Sequence, residues 1–99
     1  MTRIEIAPEV FDDFDRFFDH MARFDVGGAP VRITEIVEAV QVLATSPLIG
    51  RPVRGGKREL VIGRGSRGYV ALYRYAALID TVFPLALRSQ RESGYQRAL

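Results

Sequence analysis

The 99-residue sequence has no cysteine. That excludes a disulfide framework and any thiolate zinc site, and it suits a reducing compartment. With His20 as the only histidine, there is little room for an imidazole metal site either, so no metal is expected. No apolar run reaches the ~18 residues of a membrane span, and the start Met1-Thr2-Arg3-Ile4-Glu5 lacks a signal-peptide core. The expectation is a small, soluble, cytoplasmic protein that makes no membrane contact. At this length the chain makes one domain spanning residues 1–99, because a split would leave each half too small for its own core.

Charge, by contrast, is plentiful and unevenly placed. Residues 1–49 carry four Arg against nine acids, a balance of −5, while residues 50–99 carry ten basic residues against three acids, a balance of +7. Thirteen of the fourteen basic residues are Arg, the side chain suited to a forked grip on carboxylate or phosphate. Two readings fit this asymmetry. Either the C-terminal half meets an anionic partner, or the two halves neutralise each other within one fold.

Hydropathy periods give the elements. Thr2 to Ile6 alternates as a short strand. Pro8 suits the first turn of a helix whose Val10, Phe14, Phe17, Phe18, Met21 and Phe24 recur at helical spacing as packing residues. Asp12, Asp13 and Asp15 favour that helix's N-terminal dipole and are expected to face water. A turn over residues 25–30 leads to a second helix with Ile33, Ile36, Val37, Val40, Leu43 and Ala44 on one face, ended by Ser46-Pro47. Pro47 to Lys57 is expected to be a connecting loop. Strands follow at Arg58 to Ile62, Tyr69 to Tyr75 and Thr81 to Leu87, the first pair joined across Gly63 to Gly68. Tyr69, Ala71, Tyr73 and Tyr75 share one face of the middle strand. Pro84 requires an edge, a bulge or one-sided pairing. The sum is an α+β, two-layer β-α-α-β-β-β domain, a helix hairpin on one face of a mostly antiparallel four-stranded sheet.

Few residues carry recognisable chemistry. Gly63, Gly65 and Gly68 match G-x-G-x-x-G, but a strand rather than a helix follows, so no dinucleotide site is expected. A nucleophilic triad fails for want of cysteine and with one helical histidine. Metal-free RNA cleavage needs a base, an acid and cations around the phosphate. Arg54, Arg58, Arg74 and Arg88 could supply the cations, Tyr95 the acid, and Lys57, Glu59 or Glu92 the base. Arg interleaved with Tyr also suits nucleic acid, or an acidic protein segment.

Four stretches in order carry a resemblance. They are Pro47-Leu48-Ile49-Gly50-Arg51-Pro52-Val53, Arg58-Glu59-Leu60-Val61, Gly68-Tyr69-Val70-Ala71-Leu72-Tyr73, and Leu87-Arg88-Ser89-Gln90-Arg91-Glu92-Ser93-Gly94-Tyr95. Together with the element order they resemble the RelE/ParE toxins over essentially the whole chain. The resemblance implies the toxin half of a bacterial type II toxin–antitoxin pair, acting in plasmid stabilisation or growth arrest. Such a toxin is held inactive by a cognate antitoxin whose C-terminal segment wraps it. RelE-like members cleave messenger RNA in the ribosome; ParE-like members poison DNA gyrase.

Departures from the nuclease pattern favour the ParE-like branch. RNA-cleaving relatives commonly carry Arg where this chain has Val70, and some place a base where it reads Pro52-Val53-Arg54 or Ser89-Gln90-Arg91. Only Arg88 and Tyr95 match nuclease-like positions. The expectation is a gyrase inhibitor without catalytic residues or cofactor; on the alternative, a ribosome-dependent nuclease, Lys57, Glu59, Arg88 and Tyr95 would act. Target or antitoxin contacts are expected from Arg54, Arg58, Arg64, Arg67, Arg74, Arg88, Arg91 and Tyr95. The exposed sheet face and the groove beside the helix hairpin are where an antitoxin segment would dock.

Overall fold

Strand β1 (Arg3–Ile4) leads into helices α1 (Glu9–Phe24) and α2 (Ala29–Gln41), the second running on into a 3-10 turn at Val42–Ala44. Strands β2 (Arg51–Val53), β3 (Lys57–Ile62), β4 (Tyr69–Ala76) and β5 (Thr81–Ser89) complete the sheet. The computed structural model describes residues 1–24, 28–63, 68–97 and 99. The expected turn at Asp25 to Gly27, Arg64 and Arg67 of the β3–β4 connection, and the Phe24 side chain lie outside the described residues. Among the described residues, no helix is long and apolar enough to cross a membrane.

The sheet order is β1-β5-β4-β3-β2, with β1 parallel to β5 and the other neighbours antiparallel. Five strands stand where four were expected. The stretch expected to be loop from Pro47 to Lys57 contains β2, which pairs back on β3 with Arg51 opposite Glu59. Gly55 and Gly56, at φ 83° and 72°, supply the left-handed residues that reverse the chain so tightly. Pro52 is tolerated because β2 is an edge, where a missing N–H breaks no second ladder.

Pro84 falls inside β5, which lies between β1 and β4 rather than at an edge. The strand accommodates it with a bulge. Tyr73 lies opposite Pro84 and Leu72 opposite Ala86, so Leu85 is the extra residue. Below the bulge, Pro84 still accepts the Ala7 N–H at 3.0 Å.

The core lies between the helices and one sheet face. Val10, Phe17 and Met21 of α1 and Ile36 and Val40 of α2 pack with Ile62, Ala71, Tyr73, Val82 and Leu87. Two helical positions depart from expectation. Phe18 is 45% exposed, since it stands ~80° around α1 from Val10 at 100° per residue. Val37 is likewise exposed, on the flank of α2.

Tyr73 anchors the loop between the layers. Its hydroxyl donates to the Pro47 carbonyl at 2.8 Å and accepts the Gly50 N–H at 2.9 Å. Gly50 is required there because a Cβ would stand 2.7 Å from the tyrosine ring. Tyr73→Phe, which leaves the Gly50 N–H without its partner, is expected to cost about 1–3 kcal/mol in urea unfolding with an unchanged slope.

Candidate functional site

Strand alternation puts Arg51 of β2, Lys57 and Glu59 of β3, Arg74 of β4 and Arg88 of β5 on the sheet face turned away from the helices. Val70 and Leu72 point the same way yet are 0% and 4% exposed. The C-terminal segment folds back over them. Tyr95, which follows β5, reaches across β4 to donate its hydroxyl to Glu59 Oε2 at 2.6 Å.

Glu59 is the centre of this face. Arg51 grips its Oε1 with Nε at 3.2 Å and Nη2 at 2.9 Å, and its side chain is only 11% exposed. The Arg88 guanidinium lies over the Tyr95 ring, 5.5 Å from the centroid, and donates to the carbonyls of Ser89 and Glu92 at 3.3 Å. Burial by itself would raise the Glu59 pKa. The hydrogen bonds from Tyr95 and Arg51 and the charges of Arg51 and Arg88 outweigh it, and hold the carboxyl below its ordinary 4.5. Tyr95 moves the other way: burial first, then the Glu59 carboxylate, keep the phenol proton on far above the ordinary tyrosine range.

The residues singled out from the sequence therefore separate. Glu59, Arg88 and Tyr95 meet. Lys57 shares the face but its ammonium lies against Gly55, 3.2 Å from where a Cβ would stand, toward the β2–β3 turn. Arg74 also reaches that turn, donating to the Gly55 carbonyl at 3.1 Å. Arg54 is exposed in the turn itself, and Arg91 is exposed just past β5. Arg58 stands on the helix side, where it donates to the carbonyls of Leu48 at 3.1 Å and Gly50 at 2.8 Å and so clamps the loop before β2. Glu92 bonds Arg16 of α1 at 3.1 Å and the Ser89 N–H at 3.0 Å. Arg51 was not singled out, since its role depends on β2.

Chemically, the face offers cations and a ring rather than a free acid or base. Glu59 is ionised but fully engaged, and Tyr95 holds its proton tightly. Among the described residues, no group of three His, Cys, Asp or Glu is placed to hold a metal ion.

A second feature lies on the other side of the sheet. Ile4 and Ile6, Val10 and Phe14 of α1, and Val37 and Val40 of α2 line an apolar groove of about 360 Å³. The half-exposed ring of Phe11 stands 6.5 Å from that of Phe14 and extends this apolar surface.

A helix pair on a five-stranded sheet, with one basic face and one apolar groove, makes a small α+β domain. The sequence family described as the ParE toxin of type II toxin–antitoxin system, parDE, matches residues 4–94. The chain belongs to that family: it is a type II toxin–antitoxin toxin of the ParE kind. No curated protein sequence matches it significantly. Among solved structures, a chain of the chromosomal ParDE TA system from P. aeruginosa is similar at 22% identity, covering 90% of this chain and 96% of that one, with TM-score 0.76. A chain of the RelBE2 toxin–antitoxin complex from Mycobacterium tuberculosis is similar at 20% identity, covering 90% and 98%, with TM-score 0.56. Both share the fold.

Because the folded Glu59 pKa is below its unfolded value, the stability it contributes is present above pH ~4.5 and is lost as pH falls through the folded pKa. Urea midpoints measured from neutrality into acid should therefore fall less steeply for Glu59→Gln than for the wild type. Parallel curves would show that Glu59 carries no linked proton.

Proposed function

We propose that this protein arrests growth by inhibiting DNA gyrase in the cytoplasm, and that binding of a cognate antitoxin neutralises it. The observation that carries this reading is the engagement of Glu59 and Tyr95 with each other. The groups that a nuclease would use as base and acid are locked in one hydrogen bond, beside Val70 rather than an arginine. A general acid works best near the operating pH, and the Tyr95 phenol lies far above it. Membership of the ParE family supports the same target. The domain of residues 1–99 then acts by contact, through Arg51, Arg88 and the tail.

The antitoxin has two surfaces to occupy. The groove of Ile4, Val10, Phe14 and Val37 suits the apolar side of an amphipathic helix, and the basic sheet face suits an acidic extended segment. Solved relatives in the fold come from a ParDE system and a RelBE2 toxin–antitoxin complex, which supports a partner of this kind.

Controlled expression in growing bacteria, with DNA and protein synthesis followed separately, tests the target. DNA synthesis is expected to stop first, with filamented cells and continuing translation, and purified toxin is expected to lower gyrase supercoiling. Arg88→Ala should weaken that inhibition about tenfold, the equivalent of about 1.4 kcal/mol. Early arrest of translation with intact replication would instead favour messenger cleavage in the ribosome and overturn the gyrase reading.

A further inference from the structure

Asp13 belongs to an acid-rich helical stretch, where charge at the helix N-terminal end is expected to face water. It is instead 1% exposed, and the reason lies in β5. The parallel support of β1 ends at the Ala7–Pro84 hydrogen bond. Past the bulge, the backbone groups of Leu85 and Leu87 face α1 rather than a strand. Side chains take the strand's place. Asp13 Oδ2 accepts the Leu87 N–H at 2.9 Å, Arg16 donates to the Leu87 carbonyl at 3.3 Å, and Arg97 donates to the Leu85 carbonyl.

A buried carboxylate persists only when its charge is met. Arg16 donates to Asp13 at 2.7 Å, and Arg97 forks onto both carboxylate oxygens at 3.2 and 3.1 Å. Arg97 lies two residues beyond Tyr95. The segment is thus tied on both sides of Tyr95, by Glu92 to Arg16 and by Arg97 to Asp13. Between the ties it has no regular structure, and a Cβ on Gly94 would meet nothing within 4 Å. Polar ties hold it there, together with the Tyr95 ring under the Arg88 guanidinium.

We infer that Asp13 is a positioning residue: through Arg97 it latches the C-terminal segment to α1 and thereby holds Tyr95 against Glu59 and Arg88. The face presented to a target is then set from the opposite layer of the protein. Exchange of the latch with solvent releases Tyr95 without unfolding the sheet.

The test uses the full chain and two variants, Asp13→Asn and Arg97→Ala; the second leaves Asp13 its bonds to Arg16 and the Leu87 N–H, and is expected to fold even if the first does not. Amide hydrogen exchange at Ser89 and Glu92, whose N–H groups bond Glu92 Oε1 and the Ser89 carbonyl at the base of the tail, should quicken by about tenfold or more in Arg97→Ala, while the amides of β3 and β4 keep their protection. The nuclear Overhauser contacts between the Tyr95 ring and Arg88 should vanish, and Arg97→Lys should restore part of both signals. Ile36→Val serves as the control for general destabilisation, which quickens the exchange of core and tail together. Where both single variants fold, their double variant should free the tail no further than either alone, since both break one contact. Persistence of the Tyr95–Arg88 contacts in Arg97→Ala, or core and tail changing together as in Ile36→Val, would overturn the latch.

The functional arm rests on the toxin reading. Freed-tail variants should lose growth arrest that the wild type shows; full arrest with a freed tail would overturn the positioning role. A wild type that arrests nothing would defeat the toxin reading alone, because exchange and ring contacts still report the latch.

Discussion

The second half of β5 is a central strand with a neighbour missing. β4 lies on one side throughout, but β1 supports only the first few residues on the other. After Ala7, opposite Pro84, the chain that formed β1 turns away into α1, and the polar groups of Leu85 and Leu87 must be satisfied by whatever α1 and the tail can offer. Much of the architecture follows from this shortage. Asp13 must be buried to reach Leu87, Arg16 and Arg97 must be drawn in to balance Asp13, and the tail must return to the sheet to deliver Arg97. Such use of charged side chains also shields an exposed strand edge from pairing with other chains.

Charge is segregated in the folded protein much as it is along the sequence, with an acidic helix layer and an Arg-rich sheet face. The two readings of that asymmetry are both realised. Part of the opposite charge is neutralised internally, at Asp13 and at Glu59. The rest, including exposed Arg54 and Arg74, remains turned outward on the strands and turns. The protein uses a minority of its acids to set the geometry of its bases.

The helix pair, the face-sharing tyrosines and the order of the long strands were legible because periodicity and turn residues report them directly. The short strand β2 was not. Three residues with a central proline carry no alternation, and only Gly55-Gly56 hinted at reversal. The convergence of Glu59, Arg88 and Tyr95 was legible as a set of residue types but not as a cluster, because Tyr95 reaches Glu59 across β4 from an irregular segment. Asp13 was misread as a solvated helix acid for a similar reason. Helical phase sets it ~40° from Phe17, beside the core, but the strand N–H that receives it is 74 residues away and nothing local signals that partner.

Pairing β1 in parallel beside β5 also has a temporal side. Of the five described strands, the first made pairs with the last made, and Thr2 is tied to Asp80 across 78 residues. Loop closure over such a span is slow compared with forming the helix hairpin or the β3–β4 ladder. On the ribosome, the helices and the middle strands can gather, but the sheet stays open until β5 emerges. The basic face, the groove floor at Ile4 and the tail latch therefore all mature together, only after β5 has been made.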